Sequence, residues 1–187
     1  MSFRVRPMVR GDIEQVSEIE RVIHEQPWSK RVFRDELAGA DRDYFVAVDV
    51  AVDVAAVEAG SGAGSDVVGY AGVFTVLDET HLTTVGVRPD RRREGIAAAL
   101  VVELVRAARR RGAQAMTLEV RVSNSGAQEL YRRFGFGPVG IRPRYYTSPA
   151  PAEDAVIMWV HDIAGVDMDE RLARLGSSPG CKAGSDE

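Results

Sequence analysis

The sequence predicts an α/β (α+β) protein with a mixed central sheet of about seven strands flanked by four helices. Three observations carry this. Short runs rich in β-branched and aromatic residues recur along the chain, bounded by Gly, Pro, Asn and Asp. Between them lie longer segments with apolar residues every three or four positions, several opening on a capping residue. Near the middle, Thr83 to Arg111 joins a strand, a basic loop and a long helix in one stretch.

In chain order, Phe3, Val5 and Met8 mark a first strand. Asp12, with Gln15 three residues on, reads as a capped helix start, and Ile13, Val16 and Ile19 give that helix an apolar face to about Ile23. Ser29 caps a second helix carrying Val32, Phe33 and Leu37. Tyr44–Val50 and Gly69–Val76 are strands. Between them, residues 49–66 read as an extended hairpin insert whose Gly/Ser-rich tip, Glu58 to Asp66, is mobile. His81–Val87 is the central strand, and Pro89 ends it because proline cannot continue a ladder. Ile96, Leu100, Leu104, Val105 and Ala108 form one face of the long helix, Arg109–Arg111 suit its C-terminal dipole, and Gly112 stops it. Met116–Val120 is a strand. Ser123 or Asn124 caps a helix with Ala127, Leu130, Tyr131 and Phe134, and Pro138–Arg142 and Ala155–Val160 complete the sheet. The expected domain is 1–165, followed by a polar, largely disordered tail over 166–187 in which Asp167–Leu175 forms at most a short polar helix.

Bulk properties narrow the function. A chain of 187 residues, 45% hydrophobic and 28% charged, suffices for one domain with a core. A net charge of −4 argues against a general nucleic-acid binder. No apolar run approaches the ~18 residues of a membrane span. Arg4, Arg6 and Arg10 interrupt any apolar leader, and the single cysteine, Cys181, precludes an internal disulfide, so a cytoplasmic protein is expected. His24, His81 and His161 are scattered and read as structural, and no metal site is expected.

The strand–loop–helix unit is a candidate anion site. The first amides of a helix have no partner within it, the macrodipole favours negative charge there, and Arg92 and Arg93 add full charges. A basic turn before an amphipathic helix would look the same. The loop lacks both the Gly-x-x-x-x-Gly-Lys-Ser/Thr and the Gly-x-Gly-x-x-Gly patterns. It has Arg92-Arg93-Glu94-Gly95-Ile96-Ala97, which resembles the pyrophosphate-binding signature of the GNAT acetyltransferases. Further segments agree: Pro27-Trp28-Ser29, Glu119-Val120-Arg121-x-Ser123-Asn124, Leu130-Tyr131-x-x-x-Gly135-Phe136, and Arg144-Tyr145-Tyr146 with Glu153-Asp154-Ala155-x-x-Met158 are similar to segments of the RimI-type N-terminal protein acetyltransferases. The resemblance covers about residues 3–160.

The resemblance implies a sheet splayed at an acetyl-CoA site, and acetyl transfer to the N-terminal α-amine of a protein, in the family a ribosomal alanine. It implies that Arg92, Arg93, Glu94, Gly95, Ile96, Ala97 and Ala98 hold the pyrophosphate, and that Val85 or Val87 offers a backbone amide to the thioester carbonyl. Glu119, in an apolar strand, is the candidate base, directly or through a water. Tyr131, protonated at working pH, is the candidate acid for the leaving thiolate, besides touching the coenzyme. Asn124 bonds the pantetheine amides or only caps its helix. Pro27, Trp28, Tyr145 and Tyr146 resemble the walls of a slot for a free N-terminus, although core packing would also explain Trp28. A lysine or small amine as acceptor, and a non-catalytic CoA-binding module, are the competing readings.

Overall fold

A computed structural model of the chain describes residues 2–50, 66–148 and 151–176. Seven strands form one sheet: β1 (Phe3–Pro7), β2 (Arg42–Asp49), β3 (Val67–Val76), β4 (Glu79–Val87), β5 (Ala115–Arg121), β6 (Gly137–Tyr146) and β7 (Glu153–His161). Their spatial order is β1-β2-β3-β4-β5-β7-β6. Among the described residues there are five α-helices: α1 (Ile13–Ile23), α2 (Lys30–Ala38), α3 (Ile96–Arg110), α4 (Ser125–Arg133) and α5 (Val166–Gly176).

The sheet is buried on both faces at β2 and β3 and exposed along its edge strand β6. In β2, Tyr44, Val46 and Val48 join a cluster with Ile13, Val16, Ile19, Phe33 and Tyr70 under α1 and α2. Phe45 and Ala47 point the other way, into a larger cluster built on Ile96, Leu100, Leu104 and Val105 of α3. A strand covered on both sides reads as a continuous apolar run, which accounts for the valine density of this stretch.

All neighbouring strands are antiparallel except β4 and β5. That parallel pair is in register only at Glu79–Ala115, Thr80–Met116 and His81–Thr117. Beyond His81 the two strands part, leaving a wedge-shaped gap in the middle of the sheet. A bulge opposite Gly72–Val73 gives β4 an extra residue, Thr83, whose hydroxyl donates to the Gly72 carbonyl at 2.9 Å.

Two expectations need correction. Asp12 does not cap α1: its carboxylate takes Arg6 at 2.7 Å and the Val9 amide at 2.8 Å, while Gln15 accepts from the Val67 amide at 2.9 Å, so this turn is tied to β1 and β3. The domain does not end at 165. Met168, Leu172 and Leu175 of α5, at helical spacing, are buried in the α3 cluster. Arg109 secures the helix, with Nη1 2.6 Å from Asp169. The folded unit thus includes a fifth helix. The insert begins where Asp49 donates to the Asp66 carbonyl at 2.9 Å, but 51–65 lies outside the described residues, as do 177–187 and Cys181.

Candidate active site

The gap between β4 and β5 opens into a cleft of about 560 Å³. Of the residues singled out from sequence, Val85, Glu119, Asn124, Tyr131, Trp28, Tyr145 and Tyr146 line it. Pro27 is exposed beside it, and Val87 and the loop 92–98 follow directly where β4 leaves the gap.

Alternation along β4 fixes which way its amides point. Arg88 N–H donates to Val68 of β3 at 2.9 Å, so the N–H groups of Val85 and Val87 face away from β3, toward the gap. Neither has a strand partner on that side, because pairing with β5 stops at His81.

At the far end of β4 a short 3-10 turn, Pro89–Arg91, leads into the basic loop. Arg91 turns inward and is 4% exposed, with Nη1 2.6 Å from Asp49 and Nε 2.9 Å from Glu94. This ion-pair cluster fixes the loop from beneath and occupies the Glu94 carboxylate. Arg92 and Arg93 remain on the surface. Gly95 stands before α3 in a left-handed conformation, φ 86°, that side chains disfavour, and no side chain caps the helix. The amides of Ile96, Ala97 and Ala98 therefore have no acceptor within the helix and no capping group. Uncapped amides beside two exposed guanidinium groups fit a phosphate.

Glu119 sits two residues past the last β4–β5 pair, its side chain 11% exposed. Its strand neighbours Leu118 and Val120 are buried, as expected, and its carboxylate has polar partners that the sequence does not mark. Arg142 Nη1 lies 2.6 Å from one carboxylate oxygen, and His81 Nε2 lies 3.1 Å from the other. Burial pushes the His81 imidazole below its ordinary value and Arg142 adds to this, while Glu119 pulls the other way. His81 is thus largely neutral near pH 7, with its Nε2 in contact with the carboxylate.

Tyr131, on α4, is 7% exposed with its ring 5.8 Å from that of Phe136. Burial, then the nearby Tyr146, push its phenol above the ordinary tyrosine range, so it holds its proton throughout the working pH range. The Asn124 side-chain oxygen accepts from the Ala127 amide at 3.0 Å, so Asn124 is a helix cap that also lines the cleft.

Tyr145 and Tyr146 stack edge to face, ring centroids 5.1 Å apart, where β6 falls out of register with β7. The Tyr146 hydroxyl donates to the Glu119 carbonyl at 3.2 Å, and burial, then Tyr145, push its phenol up to about 12. Arg121 holds this wall: its guanidinium lies 4.1 Å over the Tyr146 ring, with Nη2 2.7 Å from the Ser148 carbonyl and Nη1 3.0 Å from Glu153. The Trp28 ring packs at 5.5 Å on Phe33 and also lines the cleft, so it is both core and wall.

Sequence reasoning missed His81, Arg142, Arg121 and Glu20 as cleft-building residues. Arg121 stood inside a quoted motif, which was a usable signal. His81 and Arg142 meet Glu119 only through strand pairing, and no local pattern marks them.

A family model described as Acetyltransferase (GNAT) family matches residues 13–136. The putative [ribosomal protein bS18]-alanine N-acetyltransferase of Bacillus subtilis is 35% identical over 156 residues, 83% of this chain and 93% of that protein. The [ribosomal protein bS18]-alanine N-acetyltransferase of Escherichia coli K12 is 31% identical over 147 residues, 79% of this chain and 89% of that protein. A crystal structure of the ribosomal-protein-S18-alanine N-acetyltransferase from Escherichia coli superposes with a TM-score of 0.72 at 29% identity, covering 86% of this chain and 94% of the other.

Proposed function

The chain belongs to the acetyltransferase (GNAT) family, and from that premise we propose that it acetylates the N-terminal α-amine of a protein, with acetyl-CoA as donor and the N-terminal alanine of ribosomal protein bS18 as acceptor. The observation that carries the reading is one cleft, opening where β4 and β5 part, that holds Glu119, Tyr131 and the Trp28/Tyr145/Tyr146 wall together. The relatives' acceptor supplies the choice of bS18, and a ribosomal acceptor fits a reaction in the cytoplasm.

The residues present fit acetyl-CoA, which supplies the activated acetyl group as a thioester. The amides of Gly95 to Ala98, with Arg92 and Arg93, hold its pyrophosphate. The unpaired edge of β4 takes the extended arm, and the Val85 or Val87 amide faces the carbonyl oxygen. Pro27, Trp28, Tyr145 and Tyr146 flank the acceptor. Glu119 takes the proton that the amine sheds, directly or through a water, and His81 and Arg142 fix the orientation of its carboxylate. The demand is small, because an α-amine with pKa ~7.7–8.0 is already partly neutral near pH 7.5. Tyr131, which keeps its phenolic proton in the free enzyme, donates a hydrogen bond or a proton to the sulfur as the C–S bond breaks.

The test is acetylation of a peptide panel differing in the first residue, each with a free or blocked α-amine, read by mass spectrometry. Incorporation at the free α-amine, strongest with alanine first, is expected. Incorporation that survives α-blocking assigns a lysine side chain instead. No CoA release with any amine leaves a binding module.

A further inference from the structure

Glu20 is the buried carboxylate of the cleft that the reaction does not use. It lies one turn before the end of α1 and is 3% exposed. One carboxylate oxygen accepts the Trp28 amide at 3.1 Å, and the other accepts the Tyr70 hydroxyl. Trp28 lies between the end of α1 at Ile23 and the start of α2 at Lys30. Glu20 therefore ties this connecting segment to β3, and His24, Glu25, Gln26 and Trp28 of the segment line the cleft. Tyr70 is itself fixed, because its ring lies across Gly86 of β4, where any Cβ would collide with it, and packs edge-on against Phe33 at 5.8 Å.

Among the described residues no arginine or lysine lies within 4.0 Å of the Glu20 carboxylate. Just past the end of α1 the facing group is His24, whose Nε2 is 3.7 Å away and which burial, then Arg121, push below the ordinary histidine value. From β3 it is the Tyr70 hydroxyl, from the connecting segment the Trp28 amide, and α2 contributes the apolar Phe33. Among the described residues His24 is the only base within 4.0 Å of Glu20.

We propose that Glu20 is a positioning residue that holds the acceptor wall of the cleft through Trp28, and that it does so most firmly as a carboxylate. The proposal rests on the reading that this cleft takes the acceptor peptide. As a carboxylate, Glu20 accepts from both donors in charge-assisted bonds, roughly twice as strong as neutral ones. Once protonated, only neutral bonds remain. Burial lifts the Glu20 carboxyl to about 7, which brings this change into the working range of pH.

Glu20→Gln retains shape and both hydrogen bonds but never ionises. Taking the ratio of wild-type to variant kcat/KM on one peptide from pH 5.5 to 9 cancels the acceptor's own titration. At pH 8.5 the variant is expected to show an acceptor KM raised several-fold, with kcat and the acetyl-CoA KM within about twofold. Below pH 6 the two proteins should converge. In a Trp159→Phe background, Trp28 emission should show a transition centred near pH 7 in the Glu20 protein and none in Glu20→Gln. Tyr70→Phe, which removes a donor to the carboxylate, should move that transition upward. The emission readout needs no acceptor, so a transition without turnover on any peptide supports the tether and sinks the acceptor reading. A flat kcat/KM ratio with no emission transition, or an effect confined to kcat or acetyl-CoA, overturns the tether.

Discussion

Glu119 and Tyr131 face one cleft in different electrostatic settings, and the two proton-transfer roles can be separated by pH. Glu119→Gln keeps the shape and removes basicity, and its single amide oxygen can face only one of His81 and Arg142, so kcat/KM should fall by ~10²–10⁴ near neutrality. The loss should shrink as pH approaches 9, where more of the acceptor amine is neutral. Tyr131→Phe removes a hydroxyl that stays protonated across this range, so its loss should persist at high pH. Parallel profiles for Glu119→Gln and wild type between about pH 6 and 9.5 would remove Glu119 from the base role. Both residues were legible beforehand because each sits in a short contiguous motif. His81 and Arg142 were not, because they lie 38 and 23 residues from Glu119 in sequence and reach it only across β4, β5 and the β7–β6 hairpin.

At the scale of elements, the start of α3 and the packing of α5 each allow a direct test. Gly95 holds φ 86° at the helix start, beside the amides assigned to the pyrophosphate. Gly95→Val both strains this turn and fills the approach to it, and should raise the acetyl-CoA dissociation constant at least tenfold, about 1.4 kcal/mol. Unchanged coenzyme binding in calorimetry would overturn the phosphate-loop assignment. The charges of α5 make its stretch of sequence read as a polar tail. Its 168–172–175 spacing already described an apolar stripe. Leu172 is 6% exposed in the α3 cluster, so Leu172→Ala should cost about 2–5 kcal/mol. A thermal midpoint unchanged from wild type would show that the helix contributes nothing to the folded unit.

For the molecule as a whole, a buried carboxyl without a cation makes stability depend on pH in a defined direction. Glu20 is raised from 4.5 to about 7 in the folded chain, chiefly by burial. Between those values the folded state binds the proton more tightly than the unfolded state, so stability from this group is complete below about pH 4.5 and lost as pH rises through 7. Glu20→Gln escapes that loss. At pH 8 the variant should exceed wild type by on the order of 1–3 kcal/mol, which at ~2–4 °C per kcal/mol gives a visible rise in Tm. At pH 4 the difference should nearly vanish. A wild type more stable than the variant at pH 8 would mean that the charged Glu20 is better solvated than its burial indicates.

The amino-acid sequence by itself determined the order of strands and helices through residue 160, and it marked the Gly95 loop, Glu119, Tyr131 and the aromatic residues as candidates that the fold brings to one cleft or its edge. Each is written in short-range periodicity, a capping residue or a contiguous motif, and local chemistry suffices to read those. The tertiary structure alone decided where β4 and β5 part, which makes the cleft, since three register pairs between strands remote in the chain leave no local trace. It alone placed His81 and Arg142 on Glu119, Arg121 on Tyr146, and Glu20 between Trp28 and Tyr70. A buried charge draws its partners from whichever strands the fold brings alongside, and that choice depends on strand order and register, which no single stretch of the chain contains.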